Sequence, residues 1–228
     1  MELVINFSGG KDSTAMLAFL CENYPDVKKR VVFADTGWEH DGTEDWCRQI
    51  VARFGLELHV VRSATKTFLT MAENRGKFPG MQQRQCTSDL KRDPIIKWVR
   101  NNVSDPVVVN CMGIRSEEST GRAKAKTLKR NQRETNSVRT VWDWNPIKDW
   151  TEAQVFAYLE DRGLPLHPVY KHLRRFSCRM CIYMTQHDRE QVQKHDPQAI
   201  QIIHDLEQKM GFSFFQDGYL QDLLNLPK

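Results

Sequence analysis

The chain has 228 residues, and no run in it approaches the roughly 20 consecutive apolar residues that cross a bilayer. Met1 leads directly into a candidate strand rather than a signal peptide, so a cytoplasmic protein with no membrane partner is expected. Internal repeats and low-complexity linkers are lacking, which excludes solenoids and disordered tethers. Neither a G-x-x-x-x-G-K-[ST] loop nor a G-x-G-x-x-G turn occurs. Charge imbalance is slight, +4 in total, but acids are scarce in one place. Between Arg122 and Arg139 the chain carries Arg122, Lys124, Lys126, Lys129, Arg130, Arg133 and Arg139 against a single acid, Glu134. Six cysteines in a chain of this kind are expected to be free, metal-bound or redox-active rather than disulfide-paired.

What is present alternates between strands and helices. Strands are expected over residues 3–7, 30–35, 56–61 and 106–111. Helices are expected from Ser13, over 43–54, 89–100 and 151–162, and near 197–210. In the 151–162 helix Ala153, Val155, Phe156 and Leu159 are expected to face inward. Such alternation predicts an α/β fold with a mainly parallel twisted sheet, helices on both faces, and ligands at the carboxyl ends of the strands. Residues 1–121 are expected to form the nucleotide-binding core. Residues 122–228 are expected to form a basic loop and a small helical, cysteine-containing elaboration packed on it as one unit.

The first strand ends in Ser8-Gly9-Gly10-Lys11-Asp12-Ser13. Two glycines permit a tight turn, the amides at the following helix start point toward an anion, and the two serines and Lys11 add donors and charge, so this is a phosphate site.

This loop resembles the pyrophosphate-binding (PP) loop of the adenine-nucleotide α-hydrolase-like superfamily. The motifs FADTGWEHDGT (33–43), CTSDLKRDPI (86–95), GIRSEES (113–119) and NPIKDWTEAQVFAYLEDRGLPLHPVY (145–170) follow in the order of its phosphoadenosine phosphosulfate (PAPS) reductase-like family. The resemblance implies a PP-loop nucleotide fold that binds ATP or a related adenine nucleotide with Mg²⁺. It places Ser8, Gly9, Gly10, Lys11, Asp12, Ser13, Asp35, Thr36, Gly37, Gly113 and Arg115 at the nucleotide, with Lys11, Asp12 and Arg115 catalytic. Turn capping is the alternative role for Asp35. A surface pair with Glu117 or Glu118 is the alternative for Arg115.

Cys178 and Cys181 form a C-x-x-C pair, and Cys86 stands where iron–sulfur relatives carry a cysteine pair; here its neighbour is Thr87. Three thiolates suffice for a [4Fe–4S] cluster with one open iron, as in the thiolation enzymes this pattern resembles. Zinc with His167 or His172, a redox dithiol, and packing are the alternatives. Cys21, Cys47 and Cys111 are read as core residues.

Related reductases use a cysteine in a C-terminal tail, and no cysteine follows Cys181 here. The expectation is therefore ATP cleavage between the α- and β-phosphates, which releases pyrophosphate and activates an acceptor for thiolation, as in the phosphorothioation sulfurtransferases the chain also resembles. A PAPS or adenosine phosphosulfate reductase that draws on an external thiol protein is the second reading. A non-catalytic nucleotide or nucleic-acid-binding module is the third. A sulfur donor or thiol reductant protein is the implied partner. The basic run is either a solvated loop or a nucleic-acid contact, in which Trp142 and Trp144 stack on bases or pack in a strand.

Overall fold

A computed structural model describes residues 1–224 and 226. These divide into two compact units. The first comprises Met1–Ala34, Gly42–Val61 and Ile95–His167, and the second Asp35–Asp41, Arg62–Pro94 and the chain from Pro168. The cut expected at residue 121 falls inside the first unit. Residues 140–144 form a strand of its sheet, and pairing to that sheet carries the basic segment with it.

A six-stranded sheet organises the first unit. Its strands are β1 (Glu2–Asn6), β2 (Lys28–Asp35), β3 (Leu58–Arg62), β4 (Val107–Met112), β5 (Leu128–Arg130) and β6 (Thr140–Trp144), in the order β3-β2-β1-β4-β6-β5. β1 pairs in parallel with β2 and β4, β4 in parallel with β6, and only the edge strand β5 is shown antiparallel. This is the expected α/β architecture. β1 is buried on both faces because its side chains alternate. Leu3 and Ile5 pack with Met16, Leu17 and Leu20 of helix α1 (Lys11–Asn23) and with Cys47 and Ile50 of α2 (Thr43–Ala52). Val4 packs on the opposite face with Val32, Val108 and Trp98 of α4 (Asp93–Asn102).

The helix expected over 89–100 begins differently. Helix begins earlier, at Gln85–Thr87, widens to a π-type turn over Ser88–Arg92, and resumes as α-helix at Asp93. Pro94 has no N–H to return to the carbonyl four residues back, and such a break favours a widened turn. Helix α5 (Glu152–Glu160) is capped by Thr151, whose Oγ1 accepts the Gln154 N–H at 3.2 Å while Gln154 Oε1 accepts the Thr151 N–H at 2.7 Å. Only its Val155 and Leu159 are buried, against Ala15. Ala153 and Phe156, expected inward, are exposed, because a helix packed on one neighbour buries a narrow i, i+4 stripe.

The second unit is held by an apolar cluster that includes Trp38, Phe68, Met180, Ile203, Phe214 and Phe215. It contains α3 (Phe68–Arg75), α6 (Gln186–His195) and α7 (Pro197–Met210). Sequence logic is plain in α7: Asp196 caps it, Pro197 opens it, and Gly211 closes it at φ +68°. The Glu207 carboxylate, fully buried, accepts the N–H groups of Phe214 at 2.7 Å and Leu220 at 2.9 Å and so pins the turn that follows α7. Among the described residues, no helix is long and apolar enough to cross a membrane.

Candidate active site

β1 and β4 are adjacent, yet the chain leaves β1 for β2 on one side and returns to β4 on the other. Their carboxyl ends therefore form a topological switch point, where open α/β sheets hold ligands. The two sequence motifs of the first unit meet there: residues 8–13 follow β1, and Gly113 and Arg115 follow β4.

Two close approaches explain the glycines. A Cβ on Gly9, which has φ +80°, would stand 2.7 Å from Cys47 Sγ and 3.1 Å from Trp46 Cδ1, while the Trp46 indole N–H donates to the Gly9 carbonyl at 3.0 Å. A Cβ on Gly113 would stand 3.0 Å from the Asp12 carbonyl oxygen, so glycine here lets the β4 end lie against the first turn of α1. Gly10 precedes α1 in extended backbone and caps it with no side-chain hydrogen bond. The Ser13 hydroxyl donates to the Gly10 carbonyl at 2.9 Å and lies 3.1 Å from Ser8 Oγ, which ties the loop ends together.

The charged groups form one network. Lys11, 5% exposed, places Nζ 3.4 Å from Asp12 Oδ2 and 3.1 Å from Glu152 Oε1, with the Phe156 ring centroid at 5.7 Å. Arg115 is not a surface residue. It is 3% exposed, with Nε 2.5 Å from Asp12 Oδ1 and Nη1 2.7 Å from Glu117 Oε2. Burial opposes its charge, but the bonds to Asp12 and Glu117 prevail and raise its pKa. Glu117 also accepts the Glu152 N–H at 2.7 Å, and this bond, followed by the one from Arg115, lowers its pKa. Three carboxylates thus face two cations. Glu117 entered the sequence reading only as a surface partner of Arg115, and Glu152 not at all. Its one signal was an acid in the first turn of a capped helix.

The predicted residues Asp35, Thr36 and Gly37 belong to the second unit. Asp35 does cap its turn: Oδ1 accepts the Gly37 N–H at 2.8 Å and Oδ2 pairs with Arg62 Nε at 2.6 Å. Burial pushes its pKa up, yet these two bonds hold it below the usual carboxylate value. Thr36 donates its backbone N–H at 3.0 Å and its hydroxyl at 2.8 Å to the carboxylate of Glu39.

Glu39 leads to the cysteines. Lys91 Nζ lies 3.8 Å from Cys178 Sγ and 3.9 Å from Glu39 Oε1, and the Cys178 thiol lies 3.9 Å from that same oxygen. Cys86, Cys178 and Cys181 are all free, partly buried, and packed against one apolar cluster. The C-x-x-C turn is fixed by main-chain bonds: Trp38 Nε1 donates to the Met180 carbonyl at 3.2 Å, and the Arg179 N–H donates to the Trp38 carbonyl at 3.1 Å. Burial pushes the Cys178 thiol up to about 12 against the pull of Lys91, and burial raises Cys86 likewise. The Lys91 ammonium is held above its usual pKa by Cys178 first and Glu39 after it.

Among the described residues, no group of three or more His, Cys, Asp and Glu side chains is gathered to hold a metal ion. A single zinc draws its sulfurs to within about 2.3 Å of one point, which this arrangement does not do. The histidines proposed for zinc are also engaged elsewhere: His167 packs edge-on against Trp46 at 5.3 Å within the first unit, and His172 stacks on His195 at 4.3 Å. An iron–sulfur cluster spreads its ligands over several metal atoms, and three unpaired thiols beside an ammonium group have the donor chemistry it requires. Cys47 and Cys111 are core residues as expected, and Cys21 is half-buried.

The phosphoadenosine phosphosulfate reductase domain family matches residues 2–184. The phosphoadenosine 5′-phosphosulfate reductase of Xanthomonas axonopodis pv. citri is 26% identical over 169 residues, covering 73% of this chain and 65% of that protein. The chain spans 62–66% of the length of the curated reductases it matches. Among solved structures, the U34-tRNA thiolase NcsA from Methanococcus maripaludis, determined with its [4Fe–4S] cluster, is similar in fold. Its TM-score is 0.53 at 16% identity, over 92% of this chain and 73% of that one. The Candida glabrata FMN adenylyltransferase, in complex with FAD and inorganic pyrophosphate, shares the fold with a TM-score of 0.50 at 18% identity, over 75% of this chain and 52% of that one.

Proposed function

This chain belongs to the phosphoadenosine phosphosulfate reductase domain family, and from that premise we propose that it is an adenine-nucleotide-dependent sulfur-transfer enzyme acting on ATP. The observation that carries the reading is the loop at the β1–β4 switch point, where an uncapped helix start is flanked by the buried cations Lys11 and Arg115. The fold is shared alike with a PAPS reductase, a thiolase and an adenylyltransferase that holds pyrophosphate, so it fits ATP and a sulfonucleotide equally.

Ser8 to Ser13 bind the phosphates, and Lys11 with the loop amides stabilises the charge that develops on the leaving pyrophosphate. Arg115, held in orientation by Asp12 and Glu117, presents its fork to the nucleotide. With carboxylates outnumbering cations at the loop, the nucleotide enters with Mg²⁺, for which Asp12 and Glu152 are the available oxygen ligands. An acceptor oxygen forms a bond to the α-phosphorus as the bond to the β-phosphate oxygen breaks, and pyrophosphate departs. Sulfur at the oxidation level of hydrosulfide, delivered by a donor protein, then displaces the activated oxygen, which leaves with AMP; no electron donor is consumed. Cys86, Cys178 and Cys181 would hold a [4Fe–4S] group, which with three protein thiolates leaves one iron open to a sulfur ligand.

The second reading, reduction of PAPS by an external thiol, is favoured by the family match and by the Xanthomonas relative. Replacing Lys11 tests what the two readings share. Calorimetric titration with ATP should show binding weakened at least tenfold in Lys11→Ala, and pyrophosphate release should fall by about 100-fold or more with an unchanged circular dichroism spectrum. Unchanged binding and turnover would remove the loop from the mechanism.

A further inference from the structure

The run from Arg122 to Arg139 has no part in the site described above, and the structure shows that it is not a loosely solvated loop. Its backbone is fastened to β6 and its flanks. The Asn145 N–H donates to the Thr127 carbonyl at 2.8 Å, Asn145 Nδ2 to the Lys126 carbonyl at 2.9 Å, and the Asn131 N–H to the Val141 carbonyl at 2.8 Å. The cations are therefore displayed from a fixed frame.

Three of the seven cations have internal partners, Arg133 standing 3.7 Å from Glu134. Arg122 pairs with Glu118, and the Arg139 guanidinium donates to the carbonyls of Val99 and Val103. The lone acid of the segment, Glu134, is held by Arg100 at 2.7 Å. Lys124, Lys126, Lys129, Arg130 and Arg133 remain exposed. Lys129 stands 3.8 Å from Asp143, whose carboxylate already accepts from Asn110 and Asn131, and among the described residues no acid pairs with Lys124, Lys126 or Arg130. Short charged edge strands protect sheets from pairing with other chains, which accounts for Lys129 and Arg130 on β5. It does not account for Lys124, Lys126 and Arg133, which lie outside the strand.

We propose that β5 and its flanks form a nucleic-acid backbone-binding surface that holds the acceptor. As the acceptor's site it rests on the sulfur-transfer reading, whereas the binding itself requires no turnover. Of the two roles left open for Trp142 and Trp144, the structure shows strand packing. Trp144 meets Tyr24 edge-on at 5.3 Å, and both tryptophans pack against the apolar cluster of the sheet. With no ring offered to a base, the surface engages phosphates alone, so binding is independent of sequence and steeply dependent on salt. An acidic protein partner would call for a desolvated aromatic anchor at its centre. The exposed large apolar residues of this segment are only Leu128 and Val138.

The test is fluorescence anisotropy of a labelled RNA of about 20 nucleotides and the DNA of the same sequence, each titrated with the full chain without ATP from about 50 to about 200 mM KCl. Three phosphate contacts contribute about 0.7 each to the log–log salt slope of a single strand. The triple variant Lys124→Ala, Lys126→Ala, Arg130→Ala should therefore lower the slope by about 2 and weaken binding at least tenfold. The variant Lys124→Arg, Lys126→Arg, Arg130→Lys, which keeps the charge, should retain both. Equal affinity for RNA and DNA supports a phosphate contact. Three outcomes would overturn the proposal: no binding by the wild type at the lowest salt, an unchanged slope in the triple variant, or polyglutamate competing as well as nucleic acid does. Binding lost in the triple variant from a protein that transfers no sulfur would uphold the surface and defeat the sulfur-transfer reading instead.

Discussion

The loop site of the first unit and the cysteine site of the second handle charge in opposite ways. At the loop every named cation is matched: Lys11 by Asp12 and Glu152, Arg115 by Asp12 and Glu117. A polyphosphate would meet cations that these carboxylates keep ionised and oriented beforehand. At the cysteines, burial raises the pKa of Cys178 and Cys86, and the ammonium beside them, Lys91, already faces the Glu39 carboxylate at 3.9 Å. The thiols join that pair as anions only when something replaces their protons. The first arrangement suits a ligand that comes and goes, the second a group that stays.

The largest effect is expected at the cysteines. Cys178→Ser, prepared anaerobically, should lose bound iron and all sulfur transfer while pyrophosphate release from ATP stays within about twofold of wild type, because sites that share no partners act additively. Parallel loss of pyrophosphate release would show that the two sites do not work separately. A smaller effect concerns the frame of the C-x-x-C turn. Arg179 pairs with Asp196 at 2.7 Å, and this bond holds the Asp196 carboxyl below its usual pKa. A depressed carboxylate contributes stability above its unfolded pKa, about 3.9, and loses it as pH falls through the folded value. Arg179→Met should therefore cost about 1 kcal/mol at neutral pH, with the difference from wild type closing as denaturation is followed below pH 4. A gap that persists in acid would assign the effect to the contact of Arg179 with the Trp38 ring instead.

Much of the first unit was legible because strand alternation and helical spacing carry through its sheet, and the PP-loop stands at a strand end where the order of strands reverses. The partners of Lys11 and Arg115 were less so. Glu152 lies far along the chain from the loop, and only the parallel seating of β4 beside β1, with the packing of Val155 and Leu159 on Ala15, brings the α5 start to it. Local pattern does not encode such pairings. In the second unit α7 showed itself through its cap, proline and terminal glycine, whereas α3 is only eight residues long and α6 buries Asp188 and Arg189 beside Val192 in place of an apolar stripe. Lys91 was hidden as well. It lies in the π-type turn Ser88–Arg92 and meets Cys178, 87 residues along the chain, at 3.8 Å, a pairing that local pattern does not encode.

The central claim is that the loop cleaves ATP between its α- and β-phosphates. The direct measurement gives one anaerobic preparation of the full chain ATP in one vessel and PAPS with a reduced dithiol protein in another, and follows pyrophosphate and sulfite. Pyrophosphate from ATP, dependent on Mg²⁺ and on Lys11, with no sulfite from PAPS, is the predicted result. Sulfite from PAPS with no pyrophosphate from ATP would contradict it.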